Sequence, residues 1–142
     1  MCIGNRDGGD DAVGPYIADK LKKEKLKEPK VIDCGTNPEN FTSVVKKENP
    51  ENLILIDAVE MGLDPGEIRL VYKEKIGKLC ISTHGIPLSL IIEYLENYID
   101  KVLLIGIQPK KMNGEITDKI KVSAEKVTKL ILEEKIESIK NL

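Results

Sequence analysis

The chain alternates two kinds of hydrophobic pattern. "KVIDCG" (30–35), "NLILIDAV" (52–59) and "KVLLIGIQP" (101–109) are near-continuous apolar runs rich in β-branched residues. Such runs predict central strands of a parallel sheet, covered on both faces. "GEIRLVYK" (66–73) alternates apolar and polar positions, which predicts an edge strand, antiparallel to its neighbour. Between these runs, apolar residues recur at spacings of three and four in 12–25, 37–48, 86–99 and 116–136. That spacing predicts helices, each with one face packed on a sheet. Strands alternating with helices predict an α/β three-layer sandwich. Only Met1, Cys2 and Ile3 precede the first glycine, so the opening strand is very short.

Length and composition narrow the possibilities. With 142 residues, a single domain spanning 1–142 is expected. Charged residues make up 32% of the chain but sum to only −2, so there is no basic excess to hold nucleic acid. No apolar run reaches the ~20 residues of a membrane span, and no signal peptide precedes the first motif. The expected place is the cytoplasm, with neither nucleic acid nor membrane as partner. Cys2, Cys34 and Cys80 are an odd count without CxxC spacing, unlike a disulfide framework or a structural zinc site.

In sheets of this kind, ligands bind beyond the carboxyl ends of the strands. Three residues fall there: Asp11 after the first strand, Asp57 after "NLILI", and His84 after the short run "KLCIST". The first sits in "GNRDGGDDAVGPYIADKL" (4–21), which reads as a glycine-rich turn leading a strand into a helix. A phosphate-binding turn offers backbone N–H groups to an anion; Asp7, Asp10 and Asp11 would repel one. Two readings remain open. In one, Asp10 caps the helix and Asp11 stabilises its first turn. In the other, Gly8 and Gly9 supply unusual dihedrals and Asp11 projects to a cation. For Asp57 the alternatives are a structural role, as an N-cap or in a hydrogen-bonded turn, and a ligand.

His84 is the single histidine, which excludes a zinc centre with several histidines and the HExxH motif. A nucleophilic hydrolase would have to pair Cys80 or Ser82 with His84, and no GxSxG elbow is present. One imidazole and two carboxylates form an incomplete cage for a transition metal and leave positions open.

"CIGNRDGGDDAVGP", "VIDCGTNPEN", "LILIDAVEMGLDPGEIR", "STHGIPLSLII" and "IGIQP" follow one another from residue 2 to 109. In these motifs the chain resembles the hydrogenase maturation endopeptidases, which trim the C-terminal tail of the nickel-iron hydrogenase large subunit. It is most similar to the type serving the formate-hydrogenlyase hydrogenase. The resemblance implies a twisted five-stranded sheet, mostly parallel with one antiparallel strand, between helices. It puts the family's metal ligands on Asp11, Asp57 and His84 and a substrate-recognition segment on "DCGT", with Asp33, Gly35 and Thr36. It also implies nickel shared with the large-subunit precursor as the metal, and that precursor as the partner. The first strand is shorter than is usual in the family, Cys2 stands where many members have glycine, and beyond residue 110 only a C-terminal helix is expected. A rival reading is a non-proteolytic nickel-sensing binding module acting on the same precursor.

Overall fold

The computed structural model describes residues 1–25, 27–76, 80–81 and 85–142, without the side chains of Lys73, Cys80 and Ile81. The strands are β1 (Cys2–Ile3), β2 (Asp33–Gly35), β3 (Asn52–Glu60), β4 (Ile68–Val71), β5 (Cys80–Ile81) and β6 (Lys101–Ile107). The helices are α1 (Val13–Lys23), α2 (Thr42–Glu48), α3 (Lys73–Ile76), α4 (Leu88–Glu96) and α5 (Asp118–Leu132). The sheet order is β2-β1-β3-β6-β4. β1, β2, β3 and β6 run parallel, and β4 is the antiparallel edge strand that its alternating sequence predicts. The two residues of β5 add a second antiparallel pairing, Val59↔Ile81 and Glu60↔Cys80, beside the far end of β3.

The layers follow from period-two placement along the strands. Leu53, Leu55, Val59 and Leu104 face Val45 of α2 and Ile91, Ile92 and Leu95 of α4. Ile56, Ala58, Ile105 and Ile107 face Val13 and Ile17 of α1 and Ile120, Ala124 and Val127 of α5. β3 and β6 are therefore coated on both sides, which is why they read as unbroken apolar runs. The 30–35 run departs from the central strand expected of it: β2 is an edge of the sheet, and only Cys34 of its three residues is buried. It is shorter than the run because β1 offers only Cys2 and Ile3 to pair with, opposite Asp33 and Gly35. Among the described residues, no helix is long and apolar enough to cross a membrane.

α1 lies unusually close to β1. A Cβ on Gly14 would come within 2.0 Å of the Ile3 carbonyl oxygen, so only glycine lets the helix approach the strand this far. The helix starts at Val13 rather than at residue 12, because Gly9–Ala12 form a separate 3-10 turn ahead of it.

At the amino ends of the strands, a groove of about 620 Å³ continues the line of β1, between residues 28–32 and 49–54. The Met1 ammonium donates to the Ile54 carbonyl at 2.8 Å at its inner end. Four β-branched residues added ahead of Met1 should extend β1 into this groove and raise the melting temperature by roughly 5 °C, whereas a Gly/Ser extension of equal length should not. Thermal denaturation of the three forms checks this, and equal midpoints would show that the two-residue strand suffices.

Candidate active site

The carboxyl ends of β1, β2 and β3 form one rim. Parallel pairing sets Cys2 opposite Ile56, so the chain leaves β1 alongside Asp57 and Ala58. From there Gly4 begins the turn to Asp11. Gly4 has φ +143°, and a Cβ on it would lie 1.8 Å from the Asp11 carbonyl oxygen. The turn is therefore folded directly onto Asp11. The Asn5 N–H donates to Asp11 Oδ2 at 2.9 Å. Asp11 Oδ1 is buried and has no hydrogen-bond donor among the described residues.

Asp11 is 7% exposed and Asp57 is fully buried. The 3-10 turn carrying Asp11 packs against β3, the strand carrying Asp57. Asp57 lies within β3, where parallel pairing with β6 is about to end, opposite Gly106. Carboxylates are seldom fully buried, and here two stand at one rim. His84 lies outside the described residues, as does Ser82. The described residues nearest it in sequence are at this same end: Ile81 pairs with Val59, and a Cβ on Gly85 would lie 3.7 Å from Glu39 Oε1. Among the described residues no three His, Cys, Asp or Glu side chains are grouped to hold a metal.

Asp10 departs from its expected role as helix cap. It is fully buried. Its Oδ2 accepts the backbone N–H groups of Lys110 at 2.8 Å and Lys111 at 3.0 Å, and its Oδ1 that of Thr117 at 2.7 Å. It ties the turn to the loop after β6 instead. Burial by itself would raise its pKa; the bonds from Thr117, Lys111 and Lys110 outweigh that and hold the carboxyl below its ordinary value. Of the two glycines expected to bend the turn, Gly9 has φ +63° while Gly8 has an ordinary φ of −95°. Gly8 matters for room, since its Cβ would sit 3.0 Å from that of Asp11.

The "DCGT" stretch forms the next part of the rim. Asp33 Oδ1 accepts the Gly35 N–H at 3.1 Å, and the Gly35 carbonyl accepts the Gly4 N–H at 2.9 Å. Gly35 has φ +53° and open space where a Cβ would point. Thr36 is exposed, and its hydroxyl donates to Asn37 Oδ1 at 3.0 Å. The thiols of Cys2 and Cys34 are poor nucleophiles: burial raises both, Cys34 to about 12. Cys80 lies in β5.

Sequence reasoning missed Gln108, the glutamine of "IGIQP". Its buried Oε1 accepts the N–H groups of Met61 at 2.7 Å and Leu63 at 3.2 Å, and its Nε2 donates to Glu60 Oε1 at 2.8 Å. It pins the loop that follows β3. A lone glutamine closing an apolar strand is the signal that could have marked it.

A family model described as hydrogenase maturation protease matches residues 15–134. A putative hydrogenase maturation protease of Methanocaldococcus jannaschii is 36% identical over 143 residues, covering 94% of this chain and 85% of the relative. The hydrogenase 3 maturation protease of Escherichia coli K12 is 38% identical over 110 residues, covering 77% of this chain and 70% of the relative. The solution structure of the E. coli endopeptidase HycI superposes with a TM-score of 0.92 at 34% identity, covering 99% of this chain and 93% of that one.

Asp10→Asn should destabilise the protein by about 2–3 kcal/mol, because an amide cannot accept three N–H groups through two oxygens. The depressed pKa of Asp10 stabilises the fold above the unfolded carboxyl value near 4. That contribution is lost as pH falls through the lower folded value. Melting curves should therefore fall more steeply below about pH 4 in the wild type than in Asp10→Asn; parallel curves would contradict the assignment.

Proposed function

The chain belongs to the hydrogenase maturation protease family, and we propose that it is an endopeptidase removing the C-terminal extension of a nickel-loaded hydrogenase large-subunit precursor. The observation carrying this reading is the buried Asp11 oxygen without a donor, on a turn packed against the strand of buried Asp57. An oxygen in that state is suited to a cation. Two carboxylates and one imidazole are also donors that nickel accepts.

In this proposal Asp11, Asp57 and His84 meet nickel that the precursor already holds through cysteine thiolates. Three protein ligands leave positions for those thiolates, so the protease reads a loaded metal rather than extracting it. Nickel, when present, supplies Lewis acidity toward a carbonyl or a water and a fixed point for docking the tail. The chain's own residues do the rest. The Gly4 turn holds Asp11 in place, and the Asp33–Thr36 turn presents backbone and a hydroxyl to the incoming tail, with open space beside Gly35. The high pKa values of Cys2 and Cys34 turn attention from those thiols to water as the attacking group.

Nickel-loaded and nickel-free precursor are each incubated with the protein, and the large subunit's intact mass is measured. The loaded form should lose its tail, and the nickel-free form should stay uncut even with protein in excess. Trimming of the nickel-free form would overturn the role of nickel but not the peptidase activity. Tight binding of loaded precursor without trimming would make the protein a nickel-sensing binding module instead. Asp11→Asn should keep its melting temperature, because the amide oxygen still accepts the Asn5 N–H, while trimming slows by more than roughly 100-fold. Full activity would reduce Asp11 to a structural residue.

A further inference from the structure

Arg6, on the glycine turn, reaches two other elements. Its Nη1 donates to Asp19 Oδ2 at 2.8 Å and its Nη2 to Asp19 Oδ1 at 2.9 Å, a two-pronged bond to α1. The same Nη2 donates to Asp33 Oδ2 at 2.6 Å, on β2. The other oxygen of Asp33 accepts the Gly35 N–H at 3.1 Å, and the Gly35 carbonyl accepts the Gly4 N–H at 2.9 Å. Gly4 in turn lies against the Asp11 carbonyl, and Asn5 N–H holds Asp11 Oδ2. The contacts thus close a ring: Arg6, Asp33, Gly35, Gly4, Asp11, Asn5 and back to Arg6.

The side chains of Arg6 and Asp19 are about half exposed, at 53% and 50%. Ion pairs this exposed contribute little to stability. What a guanidinium fork does supply is geometry, because its donors are planar and fixed relative to one another. We propose that Arg6 is a positioning residue: it sets the Asp33–Thr36 turn relative to the turn carrying Asp11, and Asp19 orients its guanidinium. This rests on the function proposed above, in which the two turns take the tail and the nickel of one substrate. Holding them in register removes the ordering cost of engaging both at once, so its loss appears as weaker binding of the precursor.

The test uses Arg6→Gln, Arg6→Lys, Asp19→Asn and the double variant Arg6→Gln/Asp19→Asn. Two readouts are taken: KM and kcat for trimming nickel-loaded precursor, and hydrogen exchange of the amides in residues 4–8 and 33–37. Arg6→Gln should raise KM about ten-fold with kcat within about two-fold, at an unchanged melting temperature. Arg6→Lys should recover only part of the loss, since an ammonium lacks the fork. Asp19→Asn, which alters neither turn, should raise KM by a smaller factor. The double variant should be no worse than Arg6→Gln alone, because both changes break one clamp. Exchange at Asn5 and Gly35 should quicken in Arg6→Gln. Unchanged KM and exchange in Arg6→Gln would overturn the proposal, as would additive effects in the double variant, which would mean that Arg6 touches substrate by itself. If wild-type protein fails to trim loaded precursor, the functional reading falls; the exchange data still decide whether Arg6 clamps the turns.

Discussion

A buried carboxylate held by backbone N–H groups, with no counter-ion against it among the described residues, anchors the rim of this protein. Asp10 is held in the interior by three backbone N–H groups, drawn from Lys110, Lys111 and Thr117. Hydrogen bonds to an ionised group are the strong ones, and a buried charge deprived of them is strongly destabilising. The glycine turn and the loop after β6 therefore have one arrangement that satisfies all three donors. Asp11, the next residue, inherits its position from that constraint. Gln108 repeats the device with a neutral amide, fixing the loop after β3 through Met61 and Leu63. Two polar side chains buried under loops thus hold both sides of the place where Asp11 and Asp57 stand.

Close backbone approach is the second constraint. Gly14 lets α1 press on Ile3, and Gly4 lets the turn fold onto Asp11. A side chain at either position would force backbone apart rather than displace a flexible tip. Because β1 has only two residues, these contacts do what a longer strand would do by pairing: they fix where the chain leaves the sheet. The arrangement pulls Asp11 inward toward β3 and leaves Asp33, Gly35 and Thr36 on the outer side of the rim. Deep carboxylates beside a shallow, open turn suit the proposed task of meeting a metal and an extended tail together.

Chemically, the described rim contains acceptors and few activated groups. The buried thiols of Cys2 and Cys34 are pushed away from reactivity. The functional reading accordingly gives the side chains the tasks of recognition and orientation, and draws reactivity from what the substrate brings. Arg6 extends that logic to the surface, where a charged fork contributes registration between turns at little consequence for stability.

The linear sequence already contained the architecture. The unbroken runs 52–59 and 101–109 marked strands coated on both faces, and the alternating run around Ile68 marked an edge. The 30–35 run, with the same unbroken pattern, became the opposite edge because only the two residues of β1 pair with it. Period alone also brought Asp11 and Asp57 to the carboxyl ends of neighbouring strands, and the motifs from residue 2 to 109 pointed to the family. The sequence could not say which of two adjacent aspartates would cap, ligate or anchor. Asp10 and Asp11 are chemically identical, and their roles separate only when Lys110, Lys111 and Thr117, a hundred residues away, arrive with free N–H groups. Nor could it show that Arg6 would find Asp19 and Asp33, or that Gln108 would hold Met61, because hydrogen bonds between distant segments leave no period in a chain. Hydrophobic burial is written locally, residue by residue; the satisfaction of buried polar groups is a property of the assembled fold.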